Sequence, residues 1–221
     1  MNFEQARFNM IEQQIRPWEV LDADVLALLS VVKRENFVPA GLKALAFVDM
    51  ELPLREGGAR GQVMLAPRLE ARLLQDLAVQ KHEKVLEIGT GSGYMATLLA
   101  NRAAHVLTLE IEPELAAQAR KNLATEGVSN VEVRQADGVA GAPADGPFDV
   151  ILLSGSVAEV PQALLAQLKV GGRLAAVVGE EPMMRATFIT RNSEAAWTTT
   201  EPWDTVAPRL VSFVELSHFS F

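Results

Sequence analysis

The stretch VLEIGTGSGY, residues 85–94, decides the fold. Residues 85–88 suit a buried strand, and they run directly into a turn with glycines at positions 89, 91 and 93. Glycine adopts backbone angles that other residues avoid, so this spacing predicts a tight turn from a strand into a helix. Such a unit is typical of a doubly wound α/β sheet, in which ligands bind beyond the carboxyl ends of the strands.

The glycine spacing and the acid before it limit which ligand this turn can hold. A dinucleotide turn, G-x-G-x-x-G, needs its third glycine at position 94, where this chain has Tyr94. Glu87 would repel a pyrophosphate and attract a ligand with an ammonium and a sulfonium group. The pattern E-x-G-x-G-x-G resembles the cofactor loop of the class I S-adenosylmethionine-dependent methyltransferases. A nicotinamide-dependent dehydrogenase is a distant alternative, and a turn without any ligand is another.

Strands and helices alternate around this unit. The apolar pattern predicts helices at 3–16, 23–33, 42–47, 68–79, 94–102, 113–126 and 160–168, and strands at 84–88, 105–111, 131–136, 148–153 and 172–178. Short apolar strands, buried on both faces, are typical of a parallel sheet covered by helices. In the tail, 187–190 and 210–219 are predicted to be successive strands. We expect a doubly wound, mostly parallel Rossmann-like α/β sheet with an N-terminal helical extension and antiparallel C-terminal edge strands.

The 221 residues are expected to form a single domain with three parts. Residues 1–67 would supply N-terminal helices and a loop, 68–180 the cofactor-binding core, and 181–221 the edge strands. Between 51 and 67 the chain has glycines and no helical period, and long loops in compact domains are usually functional or mobile. We therefore expect the N-terminal helices and this loop to cover the cofactor crevice.

Composition and charge exclude several classes of function. Lys and Arg number 20 against 28 Asp and Glu, and the net charge of −8 is opposite to the field that captures nucleic acid. The chain has no Cys, and its three His residues lack the spacing of metal ligands, so we expect no disulfide and no metal site. An apolar export segment and a membrane-length apolar run are absent from the sequence. We expect a cytoplasmic protein that binds neither nucleic acid nor membrane.

Acidic residues also follow the next two predicted strands. Glu110 lies 21 residues after Gly89, where a carboxylate at the sheet edge can accept both ribose hydroxyls, and Ile111 beside it can pack on an adenine. Asp137 follows the third strand, where it can accept from the adenine amino group, and Gly138 would leave space for the ring. The predicted cofactor-binding residues are Glu87, Gly89, Thr90, Gly91, Ser92, Gly93, Glu110, Ile111, Asp137 and Gly138.

The flanking sequence resembles one family more closely. The stretches that carry this resemblance, in family order, are MIEQQIRP (10–17), RENFVP (34–39), VLEIGTGSGY (85–94), ADG (136–138), AEVPQALLAQLKVGGRL (158–174) and VGE (178–180). They resemble the protein-L-isoaspartate O-methyltransferase family and cover most of the chain. The resemblance implies methyl transfer from S-adenosyl-L-methionine, with S-adenosyl-L-homocysteine as product, to the abnormal carboxylate of isoaspartyl residues in damaged protein or peptide substrates.

One segment departs from this family. Family members usually read GQTIS in the loop before the first core helix, and the resemblance implies that its hydroxyls hold the substrate carboxylate. This chain reads GQVML at 61–65, so Gln62 is retained while Val63 and Leu65 replace both hydroxyls. After the fourth core strand, Ser154 and Ser156 could replace some of the lost contacts, although a serine at a strand end is more often only a cap.

Three functional hypotheses follow. The leading one is a methyltransferase of the isoaspartyl family whose repair activity is weak, altered or absent. A second is a protein that binds S-adenosylmethionine without repair activity. A third is a methyltransferase for a small or apolar acceptor, favoured by the apolar residues at 63–65. No catalytic residue is assigned, because a carboxylate acceptor is already a nucleophile and needs positioning more than a base.

Overall fold

A seven-stranded sheet forms the centre of the structure. The computed structural model describes residues 1–59 and 61–214. Its strands are β1 (Leu52–Pro53), β2 (Val63–Met64), β3 (Lys84–Ile88), β4 (His105–Glu110), β5 (Val131–Gln135), β6 (Phe148–Val157), β7 (Leu168–Glu180), β8 (Met183–Ser193) and β9 (Ala196–Thr205). Its α-helices are α1 (Phe3–Met10), α2 (Ala23–Val31), α3 (Pro67–Leu77), α4 (Tyr94–Ala100), α5 (Pro113–Thr125) and α6 (Gln162–Leu165).

The order of the strands confirms the predicted fold class. The sheet runs β5-β4-β3-β6-β7-β8-β9. The first five strands in this order are parallel, and β8 and β9 are added antiparallel at one edge. The chain leaves β3 toward β4 and β5, and then returns to place β6 on the other side of β3. This reversal creates a crevice beyond the carboxyl ends of β3 and β6, the position where doubly wound sheets bind ligands.

The N-terminal segment is helical, as predicted, although not all of its helical turns are α-helical. After α1, the chain continues as a π-helix, Ile11–Ile15, and a 3-10 turn, Arg16–Trp18. The Asp22 carboxylate caps α2 by accepting from the backbone N–H groups of Asp24 and Val25, at 2.9 and 3.0 Å. These helices pack with α3 and α4 in one hydrophobic cluster on a single face of the sheet.

The predicted loop contains a short ribbon, and the prediction for the second tail strand is wrong. The described part of this loop before α3 has no helix, and four of its residues pair as the antiparallel strands β1 and β2. The second tail strand is β9, not 210–219: residues 210–214 contain no strand, and 215–219 lie outside the described residues. Almost every residue of β9 is exposed, so its side chains carry no apolar alternation that sequence reasoning could detect. Pro202 is tolerated there because β9 is an edge strand.

Several helices are shorter than predicted, and the largest reduction after the N-terminal segment is at 160–168, where only α6 is helical. β7 already includes residues 168–171. The sequence had placed residue 168 at the end of that helix and 169–171 in no element. In the described part of the chain, no helix combines the length and the apolar character needed to cross a membrane.

A buried arginine joins the N-terminal segment to the core. Arg34 is 1% exposed, and its guanidinium donates to the carbonyl oxygens of Ala46 and Leu65, at 3.0 and 2.6 Å. It also forms an ion pair with Glu70 on α3, and it lies over the Tyr94 ring with 5.0 Å to the centroid. Burial raises the pKa of Glu70 to about 7, although the arginine opposes the shift. One side chain therefore links the N-terminal helices, the segment after β2, and α3.

We expect Arg34→Met to destabilise the fold strongly. The substitution leaves the Glu70 carboxyl buried without its cation, and breaking a buried pair in this way typically costs about 3–5 kcal/mol. Urea denaturation followed by circular dichroism measures the free energy of unfolding. Arg16→Met is the matched control, because the Arg16–Glu12 pair is exposed and its loss should cost less than about 1 kcal/mol. Equal effects of the two substitutions would contradict this role for Arg34.

Candidate functional site

A crevice lies at the carboxyl ends of β3, β4, β5 and β6. Six of the ten residues predicted to bind a cofactor line it: Gly89, Gly91, Glu110, Ile111, Asp137 and Gly138. They lie at the end of β4 or in the turns that follow β3, β4 and β5. The sheet topology alone brings these turns together, because the carboxyl ends of parallel strands meet at one edge.

The glycine turn after β3 has the backbone that its sequence predicts. Gly89, Gly91 and Gly93 have φ angles of 91°, 54° and 85°, which side-chain-bearing residues rarely adopt. Gly93 does not line the crevice, and a Cβ there would make only ordinary contacts with Leu123 and Ala119, at 3.4 and 3.5 Å, so its positive φ is what favours glycine. The first two glycines leave their backbone exposed to the crevice.

Glu110 fixes the glycine turn while lining the crevice. Its Oε2 accepts from the Gly91 N–H at 2.8 Å, and its Oε1 accepts from the Glu112 N–H at 3.1 Å. Burial raises the pKa of Glu110, while these backbone hydrogen bonds act in the opposite direction. A carboxylate has about four lone-pair sites, so these two hydrogen bonds do not exhaust its capacity to accept from a ligand.

The turn after β5 gives one expected and one different result. Asp137 lines the crevice, and its Oδ1 accepts from the Val139 N–H at 3.0 Å, which shapes the turn. Gly138 was expected to leave space for a ring. A Cβ at this position would lie 2.3 Å from Cγ2 of Ile88, so the glycine is required by the side chain at the end of β3. Gly138 also lines the crevice, so space for a ring at this position stays a prediction.

Three of the predicted cofactor residues line only a second space. A smaller cavity of about 20 Å³, which we call the inner cavity, is lined by Val63, Met64, Leu65, Glu70, Glu87, Gly89, Thr90, Gly91, Ser92, Met95 and Ser154. Glu87, Thr90 and Ser92 contact this space and do not line the crevice. The reason is the period of the strand: Glu87 and Ile88 are adjacent in β3, so their side chains point to opposite faces. The cavity has room for one water-sized group.

Glu87 is fully buried and bound by two hydroxyls. Ser154 donates to Oε1 and Thr108 donates to Oε2, both at 2.7 Å. Burial raises the pKa of Glu87 to about 8, a larger effect than that of the two hydrogen bonds, which lower it. The carboxyl is therefore mostly protonated at neutral pH, and a neutral Glu87 can donate to one hydroxyl while it accepts from the other.

The loop that departs from the family pattern lies between the two spaces. Gln62 and Val63 line the crevice, and Val63 also lines the inner cavity together with Leu65. The Gln62 side-chain oxygen accepts from the Ala59 N–H at 3.2 Å, which holds the turn before β2. Leu65 is buried, and its side chain offers the inner cavity no hydrogen-bond donor.

The two serines at the end of β6 differ in position. Ser154 lines both the crevice and the inner cavity. Ser156 lines neither, and it is fully buried where its backbone pairs with Pro208 and Leu210. Of the two predicted hydroxyls, only Ser154 is therefore placed to contact a ligand in these spaces.

Sequence reasoning missed the segment after β9. Residues Arg209, Leu210, Val211 and Phe213 line the crevice, and the Leu210 side chain lies where a Cβ on Gly89 would meet it at 3.0 Å. This segment was predicted to be a strand of the sheet, and its sequence has no motif that indicates a ligand. The N-terminal helices, in contrast, line neither space, so the expectation that they cover the crevice is wrong. They pack on one face of the sheet rather than at its carboxyl edge.

The arrangement suits transfer of a group between two bound molecules. Val63, Gly89, Gly91 and Ser154 line both spaces, so they form a shared wall. A ligand in the crevice and a group in the inner cavity would approach each other at this wall. Within residues 1–59 and 61–214, no group of three or more His, Asp or Glu side chains could hold a metal ion.

Comparison with known proteins gives a consistent result. The model of the family described as protein-L-isoaspartate(D-aspartate) O-methyltransferase (PCMT) matches residues 5–211. A protein-L-isoaspartate O-methyltransferase of Methanoculleus marisnigri is 43% identical over 173 residues, which cover 78% of this chain and 77% of that protein. A protein-L-isoaspartate O-methyltransferase 1 of Syntrophobacter fumaroxidans is 42% identical, with coverage of 81% and 82%.

Solved structures show the same fold. A protein-L-isoaspartate O-methyltransferase superimposes with a TM-score of 0.76 at 23% identity; the match covers 92% of this chain but 64% of that longer chain. A Plasmodium falciparum chain described as a beta-aspartate methyltransferase (PCMT), solved in complex with S-adenosyl-L-homocysteine, gives 0.73 at 19% identity and covers 95% and 99%. Because the family model matches residues 5–211, nearly the whole of this chain, the chain belongs to the protein-L-isoaspartate(D-aspartate) O-methyltransferase family, a family of S-adenosylmethionine-dependent methyltransferases.

Proposed function

We propose that this chain transfers a methyl group from S-adenosylmethionine to the carboxylate of an isoaspartyl residue in a protein or peptide. The observation that carries the proposal is the shared wall of Val63, Gly89, Gly91 and Ser154 between the crevice and the inner cavity. It would bring a donor in the crevice close to one carboxylate oxygen of the acceptor, which would enter the water-sized inner cavity. Family membership supports the same reaction.

The crevice offers groups that suit this cofactor. Glu110 retains lone pairs for the two ribose hydroxyls, and Asp137 can accept from the adenine amino group. The backbone at Gly89 and Gly91 lies open to the amino acid half, since neither residue has a side chain to block it. When bound, the cofactor supplies an electrophilic methyl group on a sulfonium sulfur.

The acceptor side depends on positioning. A carboxylate is already an anionic nucleophile, so the protein needs to orient it and exclude water rather than remove a proton. Val63 and Leu65 cannot donate hydrogen bonds, whereas the Ser154 hydroxyl reaches the shared wall. With Glu87 protonated, Ser154 can accept from its carboxyl and donate its own hydrogen to the acceptor. This places the positioning role of the usual loop hydroxyls on β6.

A small or apolar acceptor is the second candidate. Met64, Leu65 and Met95 give the inner cavity apolar walls, and these favour an acceptor without charge. A methyl-transfer assay that compares an isoaspartyl peptide with the same peptide containing Asp separates the two candidates. Methylation of the isoaspartyl form alone supports the proposal. Strong binding of S-adenosylhomocysteine without transfer to either peptide would favour the second candidate or a binding protein without repair activity.

Glu110→Ala should weaken cofactor binding. The change removes a charged hydrogen-bond acceptor for the ribose, with a typical cost of about 1.5–3 kcal/mol, or roughly 10-fold to 150-fold in Kd. Calorimetry with S-adenosylhomocysteine measures this Kd directly. Glu114→Ala is the control, because Glu114 is exposed, near Glu110, and does not line the crevice. An unchanged Kd in Glu110→Ala would remove this residue from the cofactor site.

Restoring the loop hydroxyls should accelerate transfer. The double change Val63→Thr with Leu65→Ser is expected to raise the rate on isoaspartyl peptide by at least ~10-fold, about 1.4 kcal/mol in the barrier. Val63→Thr alone is assayed in parallel, since a polar group at buried Leu65 lowers stability. Val170→Thr, on an exposed part of β7, controls for the added hydroxyl. A wild-type rate already equal to that of a relative with both hydroxyls would contradict this expectation and show that Ser154 or backbone amides already position the acceptor.

Ser154→Ala and Ser156→Ala form a matched pair. Loss of the Ser154 hydroxyl should lower kcat/KM for isoaspartyl peptide by about 10-fold or more, the usual effect of a hydrogen bond to a charged group, with little change in cofactor Kd. Ser156→Ala should keep the wild-type rate, because Ser156 lines neither space. Similar losses in both variants, or in neither, would show that Ser154 does not position the acceptor.

The rate should also decline as the pH rises above about 8. Burial raises the pKa of Glu87 to about 8, so the carboxyl loses its proton in that range. The Ser154 hydrogen then turns to the Glu87 anion, and the new charge repels the acceptor carboxylate. Glu70 and Glu110 are the other acids that act on this group. Glu87→Gln stays neutral, so its pH profile should lack the decline; a decline of wild-type size in this variant would exclude Glu87 as its cause.

A further inference from the structure

A third opening lies beside the inner cavity, at the same edge of the sheet. This groove of about 510 Å³, which we call the outer groove, is lined by residues that include Trp18, Met50, Glu51, Ala66, Met183 and Val206. It lies where β7 ends and β8 begins. Leu65 lines the inner cavity and the next residue, Ala66, lines the outer groove. The two spaces are therefore neighbours along the chain.

The outer groove exposes large apolar side chains. Met183 is 83% exposed, Val206 48%, Met50 44% and Trp18 37%. Scattered apolar residues are normal on a surface, but here four of them line one concavity next to a candidate active site. Such a concavity suits apolar side chains of a bound chain.

The charges of the outer groove are unbalanced. Arg68 is paired with Asp49 at 3.0 Å, and Arg185 is paired with Asp204 at 3.2 Å. Glu51 has no ion pair among the described residues, and its pKa is raised by burial and, to a smaller degree, by the negative charge of Glu181. Both cations are thus already paired, while one carboxylate in the groove lacks a cation.

We propose that the outer groove binds the polypeptide segment next to the acceptor residue and favours a segment that has a Lys or Arg together with apolar side chains. The inference rests on the proposed function, because it takes the inner cavity to hold the acceptor. The added cation would pair with Glu51, and the apolar side chains would cover Met50, Met183 and Val206.

The spacing sets where the basic residue should lie. Ala66 in the outer groove follows Val63 at the shared wall by three residues, a distance of roughly 10 Å along an extended chain. A substrate segment of similar extension covers this distance in about three residues. The preference should therefore depend on a side chain two to four residues from the acceptor.

The experiment uses two isoaspartyl peptides that differ at a single position, three residues away from the isoaspartyl residue. One peptide has Lys at this position and the other has Glu. Fluorescence anisotropy with S-adenosylhomocysteine present measures binding without turnover, and a separate assay measures methyl transfer. We expect wild-type protein to bind the Lys peptide about threefold to fivefold more tightly, the size of a surface ion pair. Glu51→Gln should abolish this preference. Glu56→Gln, the same change in the same segment outside the outer groove, should retain it.

The outcomes separate the two proposals. Equal affinity for both peptides, no binding of either, or an undiminished Lys preference in Glu51→Gln would overturn the outer groove as the docking site. Methyl transfer to both peptides without a Lys preference would overturn it while leaving the proposed function intact. A Glu51-dependent Lys preference in binding, without methyl transfer to either peptide, would support the outer groove and reject the proposed function.

Discussion

The hydrogen bond between the Gly91 N–H and the Glu110 carboxylate, at 2.8 Å, is the contact on which the site depends. It ties the glycine turn after β3 to the end of β4, and a backbone with positive φ at Gly89 and Gly91 makes that approach feasible. The turn forms one side of both the crevice and the inner cavity. The Gly89 and Thr90 N–H groups also donate to the Leu109 carbonyl oxygen, at 2.9 and 3.2 Å. Together these contacts hold the turn that lies between the proposed donor and acceptor positions.

β3 and β4 could be predicted because they are buried on both faces, and β5, at one edge, because Val131 and Val133 alternate with polar residues. β3 was predicted with its observed bounds, 84–88, and the ends of β4 and β5 differ by one residue from the prediction. The antiparallel edge was less predictable. β9 is exposed along most of its length, and the pattern of 210–214 suggested a strand although Leu210, Val211 and Phe213 line the crevice. Hydrophobic periodicity reports burial, so it fails where a strand is exposed or where a buried segment has no regular partner.

Within the candidate site, residue type was easier to predict than orientation. Ser154 and Ser156 are two residues apart, and in a regular strand they would point to the same side. β6 is irregular here: its register moves from Leu152 to Ser156 while that of β7 moves from Ala175 to Val177. This irregularity leaves one serine at the shared wall and buries the other. Gly138 is similar, because the need for a glycine comes from Ile88, a contact that no sequence motif reveals.

Two acids on adjacent strands have different environments, and this difference bears on how a family member could work without the loop hydroxyls. Glu110 accepts from backbone N–H groups at the crevice, whereas Glu87 is enclosed beneath it with two hydroxyls. A protonated Glu87 can supply a hydrogen to Ser154, which frees the serine hydrogen to face an anion. Hydroxyl positioning would then come from β6 instead of β2, and the apolar Val63 and Leu65 would serve to exclude water from the same space.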